Sequence, residues 1–555
     1  MIRIKAGLVG TALVAVGLKL SLLASGSVPF NADEAVVALM ARHILQGERP
    51  VFFYGQAYMG SLDAYLVAGG FWLFGEKVWV LRGVQGALYL ATLLSTAWLG
   101  KAAFGSWKVG MIAAWLLAIP TVNLTLYTTA TLGGYGEMLL VGNLILLAAL
   151  RIANNIEADE LNNRLWIWLA FGFLIGLGGW VFGMTLVYSV PACLFLIWRG
   201  MGSRTGTTMA ERRSTRKFVQ QIRIPGILTL TTAGVVFGSA PWWIYARSSG
   251  LVELLKELGG GAIAGVEGLS WPWQVTQHLF NLLVFGSSVV FGLRPPWEIR
   301  WLAWPLSPII LAFWLGVVFV ATSSFLRSLF KRQEAHNTKG LILLMGVVIT
   351  LVAGFLLTPF GADPSGRYFL PLGVIMALFA AQAVVLWRER WGRWSYGLVG
   401  LVLVFNLWGT VQTALDNPPG LTTQFDTQTW IDHRYDKALV DFLRSQGEQR
   451  GYSNYWVSYP LAFQSGEDLI FVPRLPYHLD FRYTARDDRY KPYDQLVDQA
   501  EHLAYITTHH PELDKRLRTG FTSLGVAWKE ATIGDYHIFY GLSRKVRLEE
   551  LNLGW

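Results

Sequence analysis

Long apolar runs broken by short polar segments fill the first 413 residues, and the pattern then changes to short alternating stretches. A helix needs about 20 apolar residues to cross the hydrocarbon core of a bilayer. By that measure the runs at 7–24, 78–100, 108–127, 135–151, 165–181, 182–198, 225–246, 301–325, 340–358, 368–388 and 395–413 predict eleven membrane helices. The segments WRGMGSRTGTTMAERRSTRKFVQQIR, RSLFKRQEAHNTK and WRERWGR are rich in Lys and Arg, which places all three on the cytoplasmic side. A twelfth apolar stretch, LFNLLVFGSSVVFG at 279–292, would put the last two of these on the wrong side if it crossed. It is therefore expected to lie at the interface or to re-enter. The predicted topology has the N-terminus inside and the C-terminus outside, so residues 25–77, 358–372 and 414–555 share the extracytoplasmic face.

The C-terminal stretch opens in a Pro/Gly turn, DNPPGLTTQFD. DKALVDFLRSQG has helical spacing and a terminal Gly. DLIFVP, LAYITT and DYHIFYG read as short strands. The fold class expected is a polytopic α-helical membrane protein, 1–413, with a small soluble α/β domain at 414–555.

Composition agrees with that reading, since 53% of the 555 residues are hydrophobic and only 15% charged. The formal net charge of +9 raises the question of a nucleic-acid partner. Residues 414–555 carry 16 Lys/Arg against 20 Asp/Glu, which leaves 30 against 17 in residues 1–413. The excess lies in short loops between apolar runs, where topology accounts for it, so nucleic acid is not implied. The single Cys193 rules out an internal disulfide framework. The start, MIRIKAGLVGTALVAVGLKLSLLASG, has the layout of a signal peptide but no clear small-residue cleavage site, and is read as an uncleaved first helix.

Candidate chemistry begins where that helix surfaces, in SVPFNADEAVVALMARHILQG. Asn31 is placed to cap the next helix and Glu34 falls three residues later, as a capping box requires. That accounts for Glu34 and leaves Asp33 with little to do. The alternative is catalytic: a carboxylate in a partly dehydrated cleft acts as general base towards a hydroxyl or amine, an effect of about 10²–10⁴-fold in rate. Tyr54, Gln56, Tyr58 and Asp63 follow in the same loop, either to contact a sugar or to hold the loop together, and His43 reads as an interfacial polar residue. Glu137 enters an apolar helix behind Gly133, Gly134 and Gly136, either to orient an acceptor or to cap that helix. Arg367 lies on the outer side, where positive charge is disfavoured, either as a bidentate phosphate ligand or as an interfacial anchor.

The order of these parts resembles a known superfamily. A first membrane helix, an outer acidic pair, the aromatic loop YGQAYMGSLDAY, the helix AGGFWLFG and the later RYFLP at Arg367–Pro371 are similar to the type C glycosyltransferases (GT-C). Within it the likeness is to the bacterial branch resembling protein O-mannosyltransferases and the aminoarabinose transferase of lipid A. The resemblance implies a hexosyl or pentosyl transferase of the plasma (inner) membrane, working on a polyprenyl-phosphate-linked sugar and a lipid, glycan or protein acceptor. It makes Asp33 the general base with Glu34 beside it, Glu137 a second acidic residue, Arg367 the phosphate ligand and Tyr368 a hydrogen-bond donor. No cofactor is implied, and no His/Asp cluster forces a metal. Two rivals remain: a transporter or flippase of a lipid-linked glycan, and an inactive binding protein on the same scaffold. The acidic residues cluster at the outer boundary, whereas transporter sites usually lie at the midplane.

Overall fold

The computed structural model describes residues 2–157, 165–202, 213–263, 270–331 and 336–553. Among them, seven helical stretches are long and apolar enough to cross a bilayer: Ile4–Ala24, Val78–Phe104, Tyr135–Ile156, Gly183–Gly200, Ser307–Phe330, Thr338–Leu357 and Arg367–Leu415. The last, 49 residues long, holds two helices, Leu370–Trp391 and Ser395–Leu415, joined by a turn at Gly392–Trp394. Pro225–Gly238 and Ala240–Ser249 make an eighth crossing if they count as one span, bent by 65°.

Three of the apolar runs take a form that hydropathy alone does not show. The run at 108–127 breaks at Pro120, which has no N–H to continue a helix, into Trp107–Ala118 and Val122–Tyr127. The run at 165–181 becomes Trp166–Val181, 16 residues and so shorter than the usual span. The ambiguous stretch at 279–292 continues an earlier helix: the chain is helical from Trp271 to Val290, π-wound over Asn281–Gly286.

In lipid, helices associate by close packing, because lipid tails are as apolar as the side chains they would replace. Trp166–Val181 and Arg213–Gly238 meet glycine to backbone, and the spacing is four residues on both. A Cβ on Gly172 or Gly176 would lie 2.1 Å from the carbonyl oxygen of Thr231 or Val235. On the partner helix, a Cβ on Gly234 or Gly238 would lie 2.3 or 2.2 Å from that of Leu169 or Phe173.

Between the first two crossings the chain forms the helix Ala32–Leu45, the hairpin β1 (Phe52–Phe53) and β2 (Gln56–Gly60), and the helix Leu62–Phe74. Ala32–Leu45 is buried along most of its length, because Leu62–Phe74 packs on it from one side and Tyr455–Gln464 from another.

The C-terminal region is built on a five-stranded sheet of β3 (Arg450–Tyr452), β4 (Ile470–Val472), β5 (Ala504–Thr508), β6 (Lys529–Ile533) and β7 (Tyr536–Tyr540). Its order is β4-β3-β5-β7-β6, with β3 parallel to β4 and β5, and β7 antiparallel to β5 and β6. The expected strands DLIFVP, LAYITT and DYHIFYG contain β4, β5 and β7. DKALVDFLRSQG is the helix Asp436–Gln446, stopped by Gly447 at φ +73. Sequence reading missed β3, β6 and the helix Tyr455–Gln464, which seats this region on the first loop.

Candidate active site

Asn31 caps the loop helix as its sequence pattern predicts, its side-chain oxygen accepting the Glu34 N–H at 3.3 Å. Asp33, in the first turn, is half-buried. Its Oδ1 accepts the Tyr455 hydroxyl at 2.7 Å, and its Oδ2 accepts the Thr423 hydroxyl at 2.7 Å. Both partners come from the C-terminal region. The carboxylate is thus steadied by neutral hydroxyls and keeps lone pairs to take a proton.

Glu34 has a different fate. Fully buried, it binds the Arg82 guanidinium with both oxygens, Nε at 3.1 Å and Nη2 at 2.6 Å, and accepts the Thr131 N–H at 3.1 Å. Arg82 also donates to the Val28 carbonyl. The side chain expected to complete a capping box, or to stand beside the base, instead ties the loop helix to the second crossing and to the 128–137 loop.

That loop is gripped from below as well. Lys19, in the first crossing, donates to the Thr128 and Thr129 hydroxyls at 2.9 Å each and lies 4.3 Å from the Tyr89 ring centre. Asp63 accepts the Gly133 N–H at 3.1 Å and faces Glu137, both carboxyls being buried. Burial, then the neighbouring Glu137 carboxyl, hold Asp63 well above its ordinary value. Glu137 is therefore set within the packing under the loop, with Asp63 as its neighbour.

Arg367 sits in the turn Arg367–Phe369, with its guanidinium 5.2 Å from the Tyr368 ring centre and ion-paired to Asp363. Tyr127, Tyr135 and Tyr368 surround it. Gly366, at φ +90, lets the chain press against Asn123, whose amide donates to the Gly366 carbonyl at 3.1 Å.

A second guanidinium, Arg489, comes from the C-terminal region. With the Gln56 amide turned so that its oxygen faces the guanidinium, Arg489 donates to it through Nη1 at 2.9 Å and Nη2 at 3.0 Å; it stands 5.4 Å from the centre of the Tyr455 ring. Asp33, Tyr58 and Asp487 are its other charged or titratable neighbours. Asp487 is pushed up to about 6 by burial, with Asp33 adding to the effect and Arg489 opposing it. Sequence reading missed Arg489 and Asp487, which lie in ARDDRY, a string of alternating charges with the look of a solvated surface. Of the aromatic-loop residues, Gln56 and Tyr58 lie beside Arg489. Tyr54 does not serve in the expected way: its hydroxyl is spent on Glu48 at 2.6 Å and His43 at 3.0 Å.

His43, Tyr54 and their neighbours form the seam with the C-terminal region. His43 Nε2 meets Glu467 at 3.0 Å, Tyr493 donates to the same carboxylate at 2.7 Å, and Arg42 reaches it at 3.3 Å. Burial alone would raise Glu467; His43, Tyr493 and Arg42 together hold it down to about 2. Tyr490 stacks on Tyr54 with centres 4.9 Å apart and donates to Glu48. Among the described residues, no group of three or more His, Cys, Asp or Glu side chains is arranged to hold a metal ion.

No protein-family model and no curated protein sequence matches the chain. Solved structures do match it in fold. ArnT from Cupriavidus metallidurans bound to undecaprenyl phosphate superposes over 97% of this chain and 99% of its own, with TM-score 0.54 and 13% identity. The Archaeoglobus fulgidus oligosaccharyltransferase in the apo form covers 91% of this chain and 69% of its own, with TM-score 0.50 and 15% identity. The same archaeal enzyme, AglB, in complex with an inhibitory peptide and a dolichol-phosphate, gives TM-score 0.50 at 13% identity over the same shares. The chain has the fold of these membrane glycosyltransferases, as the sequence resemblance implied.

Proposed function

We propose that this protein is a glycosyltransferase that moves a sugar from a polyprenyl-phosphate donor to an acceptor at the extracytoplasmic face of the plasma membrane. The observation that carries the reading is Asp33: a half-buried carboxylate at a helix start, held by Tyr455 and Thr423, with Arg489 as a neighbour and Arg367 beyond Tyr127. A positioned base facing fixed guanidinium groups suits a displacement in which an anion departs.

In that displacement Asp33 takes the proton of the acceptor hydroxyl or amine while the acceptor's heavy atom bonds to the anomeric carbon. The bond from that carbon to the phosphate oxygen breaks, and its electron pair leaves with the polyprenyl phosphate. Attack opposite the leaving group inverts the anomeric centre. Arg367, Tyr368 and Arg489 line the side on which the phosphate leaves, and Tyr58 and Gln56 border the sugar's space. The Asp63–Glu137 pair and Glu34 hold the walls. The fold match to proteins whose structures carry undecaprenyl phosphate and dolichol-phosphate supports a lipid-linked donor.

The test is a panel of polyprenyl-phosphate sugars presented to the protein in nanodiscs with mixed acceptors, following release of free polyprenyl phosphate. One donor consumed is the expected result. No donor consumed, together with passage of a labelled lipid-linked glycan across proteoliposome membranes, replaces the proposal with transport.

A further inference from the structure

Arg489 and Arg367 are linked through Tyr58, which neighbours both Arg489 and Tyr368, and their surroundings differ. Arg367 already has a carboxylate, Asp363, four residues away and ion-paired to it. A phosphate arriving there must compete with a counter-charge built into the same loop. Arg489 forms no ion pair with a carboxylate among the described residues: Asp33 and Asp487 are neighbours without direct contact, and its Nη groups face the neutral oxygens of Gln56 and Gly55. Its Nε is buried without a hydrogen-bond partner, as is that of Arg367, so the missing ion pair is what separates the two. A half-buried cation with a buried, unused donor is completed by an anion at less cost than it is left bare.

The chain also spends structure on holding Arg489 still. Its backbone N–H donates to the Tyr459 hydroxyl at 2.6 Å. A Cβ on Gly55 would lie 2.8 Å from Arg489 Cδ, and Gly55 takes φ +68, so glycine is what lets the arginine lie against the hairpin. Tyr455 links the two halves of the chemistry, its ring beside Arg489 and its hydroxyl on Asp33. One side chain therefore fixes base and guanidinium relative to each other.

We propose that Arg489, supplied by the C-terminal region, is the principal ligand of the donor's phosphate, and that the Arg367–Asp363 pair instead positions Tyr368 and its loop. This rests on the transferase reading and deepens it: the C-terminal region supplies part of the donor site and does more than cover it.

Binding of undecaprenyl phosphate to the full-length protein in nanodiscs tests this, with undecaprenol as the uncharged control. R489Q is expected to weaken undecaprenyl phosphate at least about tenfold, the size of a lost charge-assisted hydrogen bond. R489K, which keeps the charge, is expected to retain more affinity than R489Q, and R367Q to lose less. Undecaprenol binding stays unchanged in all three, and thermal unfolding of each variant reports on its fold. If R489Q binds undecaprenyl phosphate like the native protein, or R367Q loses more than R489Q, the assignment to Arg489 is wrong and the transferase reading survives. If the native protein shows no preference for undecaprenyl phosphate over undecaprenol, both fall.

Discussion

Consecutive residues on a helix point about 100° apart, so neighbours in sequence meet different surroundings. Asp33 and Glu34 show the consequence. Glu34 turns into the protein, where Arg82 and the Thr131 N–H use up its oxygens. Asp33 turns towards the C-terminal region and meets two hydroxyls. Removing one partner of a buried ion pair strands the other, at about 3–5 kcal/mol. Glu34→Gln is therefore expected to lower the thermal unfolding midpoint and the yield of folded protein, and a midpoint equal to that of the native protein would contradict the assignment. The sequence marked the acidic pair and left its two roles undivided, because the split depends on Arg82, 48 positions away. Arg489 was illegible for a related reason: its neighbours Gly55 and Gln56 lie 434 and 433 positions earlier.

At the scale of elements, the joint between the loop helix Ala32–Leu45 and the helix Tyr455–Gln464 brings Asp33 to its partners. Asp33 borrows Tyr455 and Thr423 from across it, and the Glu467 cluster pins it. The folded-state value of Glu467 is depressed to about 2, so its stabilising contribution is present above its unfolded value near 4.5 and is lost as pH falls towards 2. Glu467→Gln removes charge-assisted hydrogen bonds worth on the order of 1.5–3 kcal/mol. The expected outcome is faster hydrogen exchange in 32–45 and 455–464 at neutral pH, with the difference from native narrowing as pH is lowered. Equal exchange in both proteins would show that the pin is not there. Hydropathy and turn signals located most of the elements, since apolar runs and alternating strands are local patterns. They missed Tyr455–Gln464, an aromatic-rich segment whose burial comes from the loop helix it covers. They also ran a span through Pro120.

At the scale of the whole molecule, the chain joins a bundle of apolar helices to a mixed sheet, and the two meet over the first loop. At that junction Asp33 and Tyr58 from one part meet Tyr455, Asp487 and Arg489 from the other, and Tyr58 also neighbours Tyr368, beside Arg367. The positive-inside pattern of the sequence predicts that this junction faces outward, as the proposed transfer between a lipid-linked sugar and its acceptor requires. Every part of this account turns on one side chain acting as a base. The most direct measurement is the rate of polyprenyl phosphate release by Asp33→Asn with the donor that the native protein consumes, at saturating concentration. Asparagine keeps the shape and cannot take the proton, so the rate is expected to fall by at least about a hundredfold, with donor affinity little changed. A variant that turns over at the native rate would contradict the account.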